Sequence, residues 1–251
     1  DNSVDAKLKS TGSWKEATSG KLNKAGYPVG SFWAFKFTGL DAENGGPLFD
    51  FSRADTEKAA EDATEYMVYM GTREPTFTVG INMVLRWKRF SFPLNFYISR
   101  GNYEFLASPY ENGYSILSEY QNASSELNKR WRKPGDEKHT NIPSIPVGEN
   151  CRPLYPFEDK TTTNRIYPLD AWAFSDVRVV NAWYIRFNDL KLSYNLPDKW
   201  IKGFAKSIAV SFTATNPLQI KSKDFKGRDP EVALGQQPRS QNYSLGINLS
   251  F

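Results

Sequence analysis

The sequence predicts an all-β fold, in which antiparallel strands form part of the wall of a transmembrane β-barrel and long loops carry one or two short helices. Several segments of roughly 9 to 11 residues alternate between apolar and small polar side chains, which is the pattern and length of a membrane-spanning strand. Short and long connections alternate between these segments. Aromatic residues make up 15% of the 251 residues, while hydrophobic residues make up only 39%.

The clearest alternation lies in residues 242–251. Every second residue is large and apolar, and the residues between them are small or polar, without an exception. This period of two predicts a strand with two different faces. The apolar face carries Tyr243, Leu245, Ile247, Leu249 and Phe251.

Residues 77–87 and 90–98 alternate in the same way, and only Lys88 and Arg89 separate them. Two such runs joined by two residues predict a tight β-hairpin. Pro93 lacks an amide hydrogen and would interrupt one hydrogen-bond ladder of the second strand.

Three further runs alternate, at residues 183–196, 208–215 and 31–38. In the first, the pattern slips by one residue at Asn188 and Asp189, which predicts a β-bulge. The third run places Trp33, Phe35 and Phe37 on one side. Together with the preceding segments, these runs give six predicted strands.

The connections differ in length in a regular way. Residues 88–89 and 197–203 are short, whereas residues 100–176 and 217–241 are long and rich in Pro, Gly, Asn and charged residues. Short turns at one end and long loops at the other are typical of outer-membrane barrels. Helical spacing of apolar residues predicts a helix within residues 115–132 and a second one within residues 55–65.

Two acidic clusters are interpreted as turns and not as cation sites. Asp41, Glu43 and Asn44 precede two glycines and predict an Asx-type turn. Residues 224–231 lack the spacing of a calcium loop, which favours a turn with a solvated charge pair.

The composition excludes most kinds of catalytic and metal site. There is one cysteine, Cys151, and one histidine, His139, so the chain has no zinc-type cluster and no internal disulfide. His139 lies in a polar segment and is expected to be a solvated loop residue. The net charge is only +4, with opposite charges interleaved, so nucleic acid is not an expected partner. We expect no catalytic residue, metal or cofactor.

The apolar strand faces allow two interpretations. They could meet in the core of a soluble β-sandwich, or they could face lipid. The opposite face is mostly Asn, Ser, Gly, Thr and Ala, which suits a barrel interior better than an open solvent face. Aromatic residues at the strand ends, such as Trp87, Phe90, Tyr243 and Phe251, suit the membrane interfaces. The pattern therefore favours lipid.

The same segments resemble the SusC/RagA family of TonB-dependent outer-membrane transporters of the Bacteroidetes type. The matching segments run in family order through nearly the whole chain. They are residues 26–30 (GYPVG), 39–41 (GLD), 45–47 (GGP), 75–80 (PTFTVG), 130–131 (RW), 134–136 (PGD), 183–197 (WYIRFNDLKLSYNLP), 198–201 (DKWI), 215–217 (TNP), 229–231 (DPE), 238–239 (PR) and 243–251 (YSLGINLSF).

The resemblance implies that residues 1–251 are the C-terminal part of such a transporter, whose complete barrel has about 22 strands. The plug domain and the earlier strands would belong to the remainder of the transporter. The implied activity is import of an oligosaccharide or a peptide across the bacterial outer membrane, driven by TonB through the plug. A SusD-like lipoprotein would cover the outer face, and outer-membrane lipid would surround the wall.

The resemblance also suggests site residues. Aromatic side chains of the longest loop are candidates for contact with substrate or lid, although each could equally pack the loop onto itself. They are Tyr103, Tyr110, Tyr114, Trp131, Tyr155 and Trp172. The C-terminal residues Tyr243, Leu249 and Phe251 resemble an outer-membrane sorting signal, and they could also simply be lipid-facing.

Two other classes of function remain open at this stage. The first is a soluble β-rich carbohydrate-binding module, which should stay monodisperse without detergent. A membrane-embedded enzyme would need His139 or a pair of carboxylates in a pocket, and no such pair is visible at the strand positions.

Overall fold

The computed structural model describes residues 12–54, 57–110, 122–154, 165–226, 228–232 and 236–251. The chain divides into two compact units. We call Pro75–Asn102 with Asn181–Phe251 the sheet unit, and Asp1–Glu74 with Tyr103–Val180 the loop unit. The strands are β1 Ser31–Ala34, β2 Phe37–Leu40, β3 Pro47–Phe49, β4 Val68–Thr72, β5 Phe77–Trp87, β6 Phe90–Arg100, β7 Tyr103–Phe105, β8 Val179–Asn181, β9 Tyr184–Asn195, β10 Ser207–Lys221 and β11 Asn242–Ser250. The α-helices are α1 Trp14–Ser19, α2 Glu57–Glu61, α3 Pro168–Ala173 and α4 Asp198–Ile201.

The sheet unit is one antiparallel sheet with the strand order β11-β10-β9-β6-β5. The predicted hairpin is confirmed, since β5 and β6 pair along their whole length and turn at Lys88 and Arg89. Lys88 adopts a positive φ of 52°, which allows the two-residue turn. On the other side of β6, the pairing with β9 skips Phe92 and Pro93, as expected for a residue without an amide hydrogen.

The predicted bulge in β9 is also confirmed. Asp189 pairs with Asn95 and Phe187 pairs with Phe96, so Asn188 is the extra residue. One extra residue reverses which face the following side chains occupy. Phe187 and Leu190 therefore lie on the same face, although three positions separate them in the sequence.

The register joins the apolar residues of all five strands on one face of the sheet. One cross-strand row spans all five strands and consists of Met83, Leu94, Leu190, Ala214 and Tyr243, and a second row consists of Ile81, Phe96, Phe187 and Leu218. Many of these side chains are exposed to solvent in the structure. The exposed ones include Leu85, Trp87, Phe212, Leu218, Ile220, Tyr243, Leu245, Ile247 and Leu249.

The predicted asymmetry of the connections is confirmed. The two-residue turn and residues 196–206 join strands at one end, which we call the short-turn end. Residues 101–183 and 222–241 leave from the opposite end, the long-loop end. Among the described residues, no helix is both long enough and apolar enough to cross a membrane.

The loop unit folds around its own core. It contains three two-stranded sheets, formed by β1 with β4, β2 with β3, and β7 with β8. Trp33, Phe35 and Trp172 are at most 2% exposed. Burial of each such side chain contributes about 1.5–3 kcal/mol to stability. The described part of the long segment between β6 and β9 therefore contributes to a packed core, as the burial of Trp172 shows.

The sixth predicted strand, residues 31–38, is wrong as a single strand of the main sheet. It forms β1 and β2, which belong to two different small sheets of the loop unit. All four residues of β1 are buried, so β1 has no solvent-exposed or lipid-exposed face. Its aromatic alternation reflects packing on both sides.

The described parts of the two predicted helices contain only short helical pieces. Of residues 55–65 the structure describes 57–65, which form α2 and a 3₁₀ turn at Ala63–Glu65. Within residues 115–132 the described part contains a 3₁₀ helix at Ser125–Lys129, while residues 115–121 lie outside the described residues. The Ser124 side chain accepts a hydrogen bond from the amide of Glu126 and starts this helix.

Candidate functional site

The polar face of the sheet unit carries a chain of hydrogen-bonded side chains across four strands. Asn95 donates to Asn82, and Asn188 donates to the side-chain oxygen of Asn95 over 2.9 Å. The hydroxyl of Thr215 donates to the Asp189 carboxylate over 2.9 Å. This face therefore offers amide and carboxylate groups, whereas the opposite face carries mainly aliphatic and aromatic side chains.

Arg186 is the most buried charged residue on this polar face, with a side chain that is 4% exposed. It lies in β9, two residues before the bulge, between Ile185 and Phe187 on the apolar face. Because a buried guanidinium is costly without a partner, this position requires carboxylates nearby.

Two carboxylates from the loop after β10 meet that requirement. Both oxygens of Asp229 lie 2.7 Å from Nη2 of Arg186, and Oε2 of Glu231 lies 2.7 Å from Nε. Gln219 in β10 donates to Asp229 over 2.8 Å. The hydroxyl of Tyr184 donates to the second oxygen of Glu231 over 2.5 Å. These contacts fasten the loop to the polar face at the long-loop end.

The surroundings of Asp229 stabilise its charged form. Burial alone would raise the pKa of this carboxyl. Hydrogen bonds from Arg186, Gln219 and the amide of Glu231 outweigh burial, and the pKa lies below its usual value. Asp229 is therefore a charged structural acceptor and not a proton donor near neutral pH.

A pocket of about 750 Å³ opens beside this ion-pair network. Its walls come from β9, β10 and the segment 226–241, all within the sheet unit. The described lining is dominated by basic and amide side chains. Those residues include Arg186, Arg228, Arg239, Lys221, Gln236 and Gln241.

The structure buries three of the six loop aromatic residues predicted to contact substrate or lid. Tyr110 is 3% exposed and donates its hydroxyl hydrogen to the carbonyl oxygen of Pro143. Trp131 is 8% exposed and Trp172 is 1% exposed, and both pack in the same core cluster as Tyr110. Burial of these three residues favours the alternative role, packing of the loop unit onto itself, and their contact with substrate or lid stays a prediction.

The other predicted site residues are placed differently. Tyr103 is 37% exposed in β7 and remains a candidate for contact. Tyr114 and Tyr155 lie outside the described residues.

The predicted sorting residues lie together on the apolar face of the last strand. Tyr243, Leu249 and Phe251 are each at least 50% exposed. They are on the apolar face of β11 and at the residue that follows it. The three residues thus lie on the same face. Their role as a sorting signal stays a prediction.

The two acidic clusters have different outcomes. The Asx-type turn is confirmed, because Oδ1 of Asp41 accepts hydrogen bonds from the amides of Glu43 and Asn44. The interpretation of residues 224–231 as a solvated charge pair is wrong, since Asp229 and Glu231 bind the buried Arg186. In the part of the chain that the structure describes, no group of three His, Cys, Asp or Glu side chains is arranged for a metal ion.

His139 follows a 3₁₀ turn, is exposed and donates its amide hydrogen to the carbonyl oxygen of Asp136, which agrees with the predicted loop position. The sequence interpretation missed Arg186, Gln219 and Arg239. One signal was available, because Arg186 is a basic residue between two apolar residues of a predicted strand, and such a residue needs an acidic partner.

Comparisons with known proteins agree with this architecture. No family model matches the sequence. TonB-dependent receptor P3 of Formosa agariphila is 24% identical over 92% of this chain and 23% of its own length. TonB-dependent receptor SusC of Bacteroides thetaiotaomicron is 23% identical over 93% of this chain and 20% of its own length. The chain thus spans less than a quarter of the length of these relatives.

Two solved structures share the fold. The RagAB peptide transporter superposes with a TM-score of 0.65 at 23% identity, over 93% of this chain and 24% of that chain. The RagAB peptide importer in its "closed-closed" state gives a TM-score of 0.64 with the same identity and coverage. The resemblance to SusC- and RagA-type TonB-dependent transporters that the sequence predicts is confirmed.

Proposed function

We propose that this relative of the SusC- and RagA-type TonB-dependent transporters forms part of the wall of an outer-membrane importer of nutrients. One observation carries the proposal. The five-stranded sheet has a continuous exposed apolar face and an opposite face of hydrogen-bonded polar side chains. Lipid on one side and a water-filled interior on the other match these two faces.

The exposed apolar face extends across all five strands of the sheet unit. Side chains such as Trp87, Leu245 and Ile247 are between 66% and 81% exposed. Single exposed apolar residues are ordinary, but a face that continues across five strands is far larger than soluble monomers usually expose. Acyl chains remove this cost, because they cover the face with material as apolar as leucine.

The lengths of the strands fit the same interpretation. A tilted strand crosses the hydrocarbon layer in about 9–11 residues. β5 and β6 have 11 residues each, and β11 has 9. β10 is longer, at 15 residues, and continues to Lys221 at the long-loop end.

The edges of the sheet require further strands. Within the described residues, β5 and β11 each pair on one side only. In hydrocarbon an unpaired backbone group costs several kcal/mol. We therefore place the missing neighbours, the plug and the contact with TonB in the remainder of the transporter. Tyr243, Leu249 and Phe251 at the β11 edge act as the sorting signal for assembly.

The cargo and the lid are proposed from the relatives. SusC is a TonB-dependent receptor, and RagAB is a peptide transporter. By analogy, this protein imports an oligosaccharide or a peptide in the bacterial outer membrane, and a SusD-like lipoprotein covers its outer face. Tyr103 is the described loop aromatic that we place in contact with cargo or lid.

Purification with and without detergent tests the proposal against the alternative of a soluble carbohydrate-binding module. We expect the intact protein in the outer-membrane fraction, monodisperse in mild detergent and aggregated once detergent is removed. A SusD-like lipoprotein should co-purify with it. A chain that stays monodisperse in plain buffer and is recovered from the soluble fraction would refute the proposal.

A further inference from the structure

The pocket at the long-loop end of the sheet unit has an uneven charge. Its lining contains five basic side chains and one acidic side chain. The basic residues are Arg186, Lys221, Lys226, Arg228 and Arg239, and the acidic residue is Asp229. A concave surface lined mainly by one sign of charge concentrates ligands of the opposite sign.

The acidic groups near the pocket are already engaged within its wall. Asp229 accepts hydrogen bonds from Arg186, Gln219 and the amide of Glu231. Glu231 lies within 3.3 Å of Nη2 of Arg239 and also contacts Arg186. These two carboxylates are engaged with Arg186 and Arg239, and neither of them pairs with Arg228.

Arg228 supplies a second and independent observation. Its Nη1 atom is buried and has no hydrogen-bond partner within the described parts of the chain. Its guanidinium lies 5.8 Å from the ring centroid of the buried Phe225. Its amide donates to the carbonyl oxygen of Phe225, which ends a 3₁₀ turn capped by Ser222. The arginine is therefore held in place while one buried donor remains unsatisfied, which is costly unless an acceptor arrives.

The geometry points to binding of a carboxylate group of the imported nutrient at Arg228 in this pocket. A guanidinium matches a carboxylate with two parallel hydrogen bonds, and a buried donor strengthens the pair. The amide side chains of Gln236 and Gln241 in the same lining can bind hydroxyl or peptide groups beside the carboxylate. This inference rests on the proposed function and narrows its cargo to acidic oligosaccharides or acidic peptides.

Binding to the purified intact transporter in detergent tests the inference. The probes are a galacturonate hexamer and a short peptide rich in Asp and Glu, each beside a neutral counterpart, namely a galactose hexamer and the amidated Asn/Gln peptide. Calorimetry should show that at least one acidic probe binds about tenfold more tightly than its neutral counterpart. The acidic probe that binds identifies the source of the carboxylate.

Substitutions then locate the site. Arg228→Gln should weaken binding of the acidic probe about tenfold and leave the neutral probe unchanged. Lys202→Gln removes the same charge from an exposed position after α4 at the short-turn end, and it should have no effect. Equal binding of acidic and neutral probes, failure of both acidic probes to bind, or an Arg228→Gln variant with unchanged affinity would overturn the inference. None of these results would contradict the proposed function. That function would be refuted if the protein is not found in the outer membrane.

Discussion

Replacement of Leu245 by arginine probes the environment of the apolar face. Leu245 lies near the middle of β11, opposite Phe212, and is 81% exposed in the structure. The substitution removes few contacts with protein, so its effect depends on what surrounds the side chain. If water surrounds it, a charged residue is tolerated. If lipid surrounds it, the charge must be placed in hydrocarbon.

The two environments predict clearly different magnitudes. Arginine near the midplane of the bilayer on the lipid face of a barrel costs about 2–4 kcal/mol. This range corresponds to a change of about 30- to 700-fold in the folding equilibrium constant. A substitution at an exposed position in water usually changes the unfolding free energy by less than about 0.5 kcal/mol.

Urea unfolding of the intact transporter in lipid vesicles measures this difference. The matched control is Ser244→Arg, which introduces the same residue at the adjacent position on the polar face. We expect Leu245→Arg to lower the unfolding free energy by about 2–4 kcal/mol and Ser244→Arg to have a much smaller effect. Equal effects of the two variants, or a change below about 0.5 kcal/mol for Leu245→Arg, would refute the lipid-facing assignment.

Two further predictions concern the loop unit and the ion-pair network. A Cβ atom at position 45 would clash with the indole ring of Trp131, so Gly45→Ala should lower the unfolding free energy by about 2–4 kcal/mol in thermal or urea unfolding. Asp229 has a lowered pKa in the folded protein, so its stabilising contribution is complete above the ordinary carboxyl pKa of about 3.9 and is lost as pH falls through the folded value. Asp229→Asn should therefore destabilise the loop by about 1 kcal/mol at pH 7, and this effect should shrink as pH falls below the ordinary carboxyl pKa, measured by proteolysis of the loop.

Each of these predictions has a control. Gly135 also has a positive φ, and nothing lies within 4 Å of a Cβ added there, so Gly135→Ala isolates backbone strain of about 1 kcal/mol. If Gly45→Ala lowers the unfolding free energy no more than Gly135→Ala does, then close contact with Trp131 is not the reason that position 45 needs glycine. Asp224→Asn removes an acidic charge from the same loop away from Arg186. If Asp224→Asn changes the pH dependence of loop stability as much as Asp229→Asn does, then the ion pairs with Arg186 do not explain that pH dependence.

The elements of the sheet unit that depend on local pattern were predictable from the sequence. Alternation with a period of two identified β5, β6, β9, β10 and β11, and the slip at Asn188 identified the bulge. These features follow from neighbouring residues, because side-chain direction in a strand depends only on sequence parity. The alternation predicted too short a strand for β10. This strand continues to Lys221, beyond a register irregularity at Asn216 and Pro217.

The features that depend on distant pairing were not predictable. Arg186 and Asp229 are 43 residues apart, and nothing local to either residue indicates the partner. The burial of Tyr110 and Trp172 was equally unpredictable, since an aromatic residue in a polar loop can lie on the surface or pack in a core. The run around Trp33 alternated like a membrane strand, but the fold buries both of its sides.

The central claim is that one face of the sheet unit contacts lipid and the other does not. Quenching by brominated lipids tests it directly, with a fluorophore attached to single cysteines at Ile247 and Asn248 in β11 and at Leu85 and Arg86 in β5, after replacement of the native cysteines. We predict strong quenching at Ile247 and Leu85 and little at Asn248 and Arg86. Equal quenching at neighbouring positions, or none at Ile247 and Leu85, would contradict the account.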